Sequence, residues 1–181
     1  MDTEVVMDKG LIHIYIGDGK GKTTAAVGLA VRAAGRKRKV VFAQFLKGRK
    51  TGEVAPLKGL GVQVIRSEKN RKFFCYMDEE ERIGFREEQL RLLEEAGEAA
   101  FGGEAADLLV LDEAVDILDL NMIDDEALRS FIEQKPEGLE LVLTGRAAPD
   151  WLIEMADYVT EMRKIKHPYD SGVTGREAIE F

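Results

Sequence analysis

The stretch Ile14-Tyr15-Ile16-Gly17-Asp18-Gly19-Lys20-Gly21-Lys22-Thr23-Thr24, continued by AAVGLAVRAAG (25–35), decides the fold. An apolar, partly β-branched run comes first, then a turn rich in glycine, then an alanine- and leucine-rich segment that favours helix and that Gly35 is suited to close. Strand, small-residue loop and helix in that order make a phosphate-binding loop. The backbone can fold tightly, point its N–H groups at phosphate oxygens and add the partial positive charge of the helix N-terminus. In that frame Gly17, Asp18, Gly19, Lys20 and Gly21 form the cradle and Lys22 contacts phosphate. Thr23 offers its hydroxyl to a magnesium ion, and Thr24 supplies a second hydroxyl to phosphate. One departure stands out. The general template GxxxxGK[ST] requires glycine at position 16, where Ile16 stands, and Gly17 lies one residue closer to the lysine. A shortened loop still cradles a phosphate chain, but the path of that chain need not match that of ordinary hydrolases.

Outward from the loop, short apolar runs alternate with longer amphipathic ones. Strands are predicted over 11–16, 40–45, 62–65, 107–111, 139–143 and 158–162, and the second is apolar almost throughout, as a strand buried on both faces should be. Phe85, Leu92, Leu93, Ala96 and Ala100 recur at helical spacing and predict an amphipathic helix over about 78–100. Asp124 and Asp125 open a further helix that Pro136 and Gly138 close, and a short one spans 149–156. Pro56 lies in a loop with room for one short helix. The pattern predicts an α/β protein: a single P-loop NTPase-like, RecA-like domain over residues 1–181, with a mostly parallel sheet and helices on both faces. Residues 1–10 form a short N-terminal arm and 163–181 an irregular C-terminal tail.

Composition narrows the function. The 181 residues are 45% hydrophobic and 33% charged, enough for one good core. With Lys+Arg 26 against Asp+Glu 34 the net charge is −8, which argues against holding a nucleic-acid backbone. The basic run Arg36 to Lys39 reads as a solvated loop between a helix end and a strand. A lone cysteine, Cys75, excludes an internal disulfide and fits a reducing compartment. No run approaches the ~20 apolar residues of a membrane span, so the expectation is a cytoplasmic protein with neither nucleic acid nor membrane as partner.

The second half of a phosphate site is an acid at the end of a buried strand, and LLVLDE (108–113) supplies Asp112 and Glu113 there. Carboxylates at that point can hold magnesium directly or through water, although alone they could simply cap the next helix. Glu113 keeps two readings, metal ligand or base that positions an attacking water. Arg32, nine positions after Thr23 on the same helix, reaches a ligand only if that ligand lies along the helix; otherwise it is a surface charge. Arg146 follows a buried strand in LTGRAAP, on the side that faces the ligand crevice of an open α/β sheet, where it could stabilise phosphate charge or pair with an acid. His13 reads as a packed or edge histidine, and His167 in KHPYDSG stays open.

In succession, GDGKGKTTAAVGLAVRAAG (17–35), VFAQFLKG (41–48) with TGE (51–53), LLVLDE, LVLTGRAAP (141–149), ADYVTEM (156–162) and KHPYDSGV (166–173) resemble the P-loop type of ATP:corrinoid adenosyltransferase. The resemblance runs from about Leu11 to Phe181. It implies transfer of the 5′-deoxyadenosyl group of ATP to the Co(I) of a corrinoid, with triphosphate released, in adenosylcobalamin biosynthesis or salvage. It also implies Mg²⁺ or Mn²⁺, ATP bound in the reverse sense along the loop, a flavoprotein reductant and a homodimer. Carried over by position, 17–24 hold the phosphates, Lys22, Thr23 and Glu113 carry the reaction, and Thr23, Asp112 and Glu113 serve the metal. Arg32 and Arg146 face the nucleotide, while Phe45, Lys47, Phe73, Phe74, Tyr76 and His167 face the corrinoid. Two departures accompany the match. The aromatic pair Phe-x-Trp of better-known members is replaced by NRKFFCYMD (70–78), with Trp151 elsewhere, and only ten residues precede the first strand. Two other functions fit parts of the pattern: an ATP hydrolase or nucleotide-dependent switch, with Glu113 activating water, and a non-catalytic corrinoid- or nucleotide-binding protein.

Overall fold

A computed structural model describes residues 9–48, 50–69, 72 and 74–180. Six strands form one sheet: β1 (Ile12–Ile16), β2 (Val40–Gln44), β3 (Gln63–Arg66), β4 (Leu108–Asp112), β5 (Glu140–Thr144) and β6 (Tyr158–Glu161). Their order is β3-β2-β4-β5-β1-β6, and every pairing is parallel. The sheet is thus wholly rather than mostly parallel. β5 separates the loop-bearing strand β1 from β4, the strand that ends in Asp112, as in a RecA-like core.

Alternation along the strands sorts the core onto two faces. Val40, Phe42, Leu108, Val110 and Val142 point one way, toward Ala26 and Ala30 of helix α1 (Lys22–Gly35) and Leu57 of α2 (Val54–Gly59). Val41, Ala43, Leu109, Leu111, Leu141 and Leu143 point the other way, toward Phe85, Leu92, Leu93, Ala96 and Ala100 of α3 (Glu79–Phe101). The same face receives α4 (Ala114–Asp119), Leu128 and Ile132 of α5 (Asp125–Glu133), and Leu152 of α6 (Asp150–Met155). Asp78 starts α3 with a reciprocal capping box, its side chain accepting from the Glu81 N–H while Glu81 accepts from the Asp78 N–H, an arrangement worth about 1 kcal/mol.

Two details differ from the sequence reading. Helix α4 follows one residue after β4, in a stretch where the sequence reading places no element, because Val115, Ile117 and Leu118 all find core contacts within six residues. The tail is partly ordered by a 3₁₀ turn at Pro168–Ser171 that His167 caps, its Nδ1 accepting from the Tyr169 N–H at 3.2 Å. The basic run behaves as a surface loop, with Arg38 3.1 Å from Asp107 and the Lys39 ammonium on the Glu104 carbonyl. His13, on β1 between β5 and β6, stacks on Tyr158 at 4.5 Å and contacts Glu140 at 2.5 Å, as a packed histidine.

Candidate nucleotide site

Gly17 and Gly21 both lie in the left-handed region, at φ 113° and 117°, which lets the chain leave β1, turn and enter α1 within five residues. Glycine is needed at 17 and 19 for a second reason. A Cβ at either position would lie 2.5 or 2.4 Å from the Met162 carbonyl oxygen, at the end of β6. The loop is anchored there by the Gly19 N–H to the Met162 carbonyl at 2.6 Å, and by the Gly17 N–H to the Arg146 carbonyl at 2.8 Å. Lys22 folds over the loop, its ammonium donating to the Gly17 and Gly19 carbonyls at 2.6 and 2.8 Å. Partial burial pulls its pKa down, with Asp116 opposing and Arg146 assisting.

From the first turn of α1 the Thr23 hydroxyl donates to Asp112 Oδ1 at 2.8 Å. The Thr144 hydroxyl, at the end of β5, donates to the same oxygen at 2.9 Å and accepts the Glu113 N–H at 2.8 Å. Asp112 is fully buried, and its Oδ2 takes the Lys47 ammonium at 2.5 Å and the Gln44 amide at 3.4 Å. This web depends on the strand order, because β5 inserts Thr144 between the loop strand and the acid. Glu113, at φ 67°, is one of few non-glycine residues in the left-handed region. Its side chain makes no helix-cap bond, so the capping reading is not the one realised. Burial pushes its carboxyl up to about 7, against the pull of Lys47 and with the help of Asp112 and Asp116.

A cavity of about 510 Å³ joins these parts. It is lined by residues 17–24, by Glu113, Asp116 and Thr144, by Arg146, and from the tail by Ile179 and Glu180. Lys20 ties the tail down, donating to the Ile179 carbonyl at 3.1 Å and lying 3.6 Å from Glu180. Asp18 accepts the Lys164 N–H at 2.8 Å, and that bond holds its carboxyl below the usual range.

Thus Gly17 to Thr24, Glu113 and Arg146 are brought together around the cavity, with Asp112 directly behind it. Arg32 is not, because it sits in the last turn of α1, exposed and outside the lining. The expectation that Phe45 faces the corrinoid is corrected: it is fully buried in the core and has no face to present. Lys47 points at the acids. Phe74 is half-buried, 6.3 Å from Phe85 and beneath the Arg82 guanidinium, whereas Tyr76 is 73% exposed. Phe73 lies outside the described residues. His167 caps its turn. Sequence reasoning missed Gln89, buried on α3, whose Oε1 accepts the Leu46 N–H at 2.9 Å, and it missed Thr144 as the bridge. Helical periodicity did place Gln89 beside Leu92 and Leu93 on the buried face, and a polar residue there was the available signal.

Parallel sheet, glycine loop and an acid-tipped strand one place removed from the loop strand define a P-loop nucleotide-binding protein. The ATPase 2 and 3 region of EssC from Geobacillus thermodenitrificans shares the fold, with a TM-score of 0.51 at 17% identity over 95% of this chain; this chain spans 35% of that longer one. Residues 8–181 match the family described as ATP:corrinoid adenosyltransferase BtuR/CobO/CobP, and the chain belongs to that family. It is similar to the corrinoid adenosyltransferase of a Sinorhizobium species, 35% identical over 96% of this chain and 81% of that one. Two further relatives bear the same description: the Escherichia coli K12 protein at 29% identity and the Salmonella typhimurium protein at 31%, each over 96% of this chain and 87% of theirs.

Proposed function

We infer that the chain moves the adenosyl group of ATP onto a corrinoid in cobalamin synthesis, the activity that defines its family. The observation that carries the site assignment is Lys22 gathered over the loop while Thr23 is tied across the sheet to Asp112. The reacting carbon is C5′ of the ribose, so the corrinoid cobalt, as substrate in its Co(I) form, attacks it and the C5′–O bond breaks. The electron pair leaves with the oxygen of the departing triphosphate. No protein nucleophile is required, and the protein's tasks are alignment, charge neutralisation and exclusion of water. Lys22, Arg146 and the loop N–H groups other than those of Gly17 and Gly19, which bond to the Arg146 and Met162 carbonyls, would hold the leaving phosphates.

Thr23 Oγ1, Asp112 Oδ2 and Glu113 Oε1 converge, as the Lys47 ammonium lying within 3.5 Å of all three makes plain. Hard oxygen donors in that arrangement suit Mg²⁺ or Mn²⁺. Among the described residues no three His, Cys, Asp or Glu side chains form a metal cluster, so such an ion would share its ligands with phosphate and water. Thr23 would hold it directly. Asp112, already accepting both hydroxyls, orients Thr23, and Glu113 completes the set. When bound, the ion would neutralise the triphosphate. A homodimer, a flavoprotein reductant and a cytoplasmic location are proposed with the same reading. Among the described residues no helix is long and apolar enough to cross a membrane.

Anaerobic mixing of the protein with MgATP and reduced cobalamin tests this reading. Adenosylcobalamin and triphosphate are expected; ADP and phosphate with unchanged cobalamin would make the chain a hydrolase, and binding without turnover would make it a carrier.

A further inference from the structure

Lys47 has been left without a task. It follows Leu46, whose φ of 59° is in the left-handed region that branched and bulky residues avoid. Three contacts impose that bend: Phe45 is fully buried, its N–H donates to the Asp112 carbonyl at 2.9 Å, and the Leu46 N–H is held by buried Gln89. The bend turns Lys47 back into the protein instead of out to solvent. Its ammonium lies 2.5 Å from Asp112 Oδ2, 3.5 Å from Glu113 Oε1 and 3.3 Å from Thr23 Oγ1, with its side chain 20% exposed. The Thr23 hydroxyl proton is directed at Asp112, so the ammonium faces the Thr23 lone pair that a cation would use.

We propose that Lys47 is a positioning residue of the phosphate site, a built-in counter-ion that sits where Thr23, Asp112 and Glu113 converge and that a divalent cation must displace to reach those oxygens. The inference rests on the nucleotide-site reading above. Held there, the ammonium offsets the charge of two adjacent carboxylates in a poorly hydrated site, and it keeps Asp112 in place as the acceptor of Thr23 and Thr144. Displaced, it remains tethered one residue from the bend, within the same site and next to the phosphates.

The test is Mn²⁺ binding to nucleotide-free protein, followed by electron paramagnetic resonance, in wild type, Lys47→Met and Lys47→Arg. Removing the competing charge should tighten Mn²⁺ binding roughly tenfold or more in Lys47→Met, since the site loses a positive charge a few ångströms from the ion. Lys47→Arg, which keeps the charge, should stay near wild type. Circular dichroism reads folding, and Lys47→Gln replaces the methionine variant if that one does not fold. Equal Mn²⁺ affinity in wild type and the neutral variant would overturn the proposal. Thermal stabilisation of wild type by MgATP is measured in parallel. Its absence would defeat the nucleotide-site reading, whereas its presence with unchanged Mn²⁺ affinity would defeat the Lys47 inference alone.

Discussion

The cavity has two unlike walls. The inner wall shows Thr23 and Thr144, backed by Asp112 and Lys47; these come from α1, β5, β4 and the bend after β2, and nearly every polar atom among them is satisfied by another. The outer wall is the tail, where Arg176 pairs with Glu180 and Lys20 reaches the Ile179 carbonyl, all in solvent-exposed positions. Hydrogen bonds to a buried carboxylate are costly to break, while exposed ion pairs contribute little. The difference assigns stability and alignment to the first wall. The second is an adjustable cover, one whose removal the fold should survive.

Asp112→Ala should show the contrast most sharply. It leaves Lys47 without its nearest partner and two hydroxyls without their acceptor, so urea denaturation should report a loss of about 3 kcal/mol. Lys22→Ala should reduce adenosyl transfer ~10²-fold or more with little change in melting temperature, because Lys22 bonds only to loop carbonyls. Near-normal transfer would refute the site. Thr144→Val keeps the shape and removes two bonds at once; chemical denaturation should show a loss of about 1–2 kcal/mol.

Glu113→Gln tests the inner wall through pH. The folded carboxyl titrates near 7 against an ordinary 4.5, so folding disfavours its ionised form. That penalty is absent below about pH 4.5, grows from there and is complete above 7. In chelator, without nucleotide, the variant should therefore be more stable than wild type by about 1 kcal/mol at pH 8, a discounted figure because the side chain is 30% exposed. The gain should shrink toward zero at pH 5. Smallest of all, Lys20→Ala and Glu180→Ala should leave the melting temperature unchanged, since both groups are surface-placed. A clear drop in either would mean that the tail is structural and the contrast false.

How much of this was readable beforehand follows the range of the forces involved. All six strands and the helices that carry a strong apolar stripe were legible, because alternation and periodicity are local. So was the loop, whose strand, glycines and lysine are contiguous. Helix α4 was hidden: only six residues long, it is too short for Asp116 and Asp119 on its open side to show a period against the buried residues. Phe45 misled because its place in a motif says nothing of which way its ring points, and the ring points into the core. Thr144 acquires its role from lying 32 residues beyond Asp112 in the chain but next to it in the sheet, and Gln89 from the turn of α3 that meets Leu46. Such partnerships are products of topology, and a residue pattern along one line does not contain them.

The close approach of Gly17 and Gly19 to Met162 carries over to mutational tolerance. A scan of alanine at every glycine should find positions such as Gly28, Gly35 and Gly52, where nothing lies within 4 Å of a new Cβ, far more permissive than these two. At 17 and 19 the obstacle is main chain, which no rotamer change can relieve. Loss of function there would report a loop pushed off its backing strand, even for a protein that never meets a phosphate.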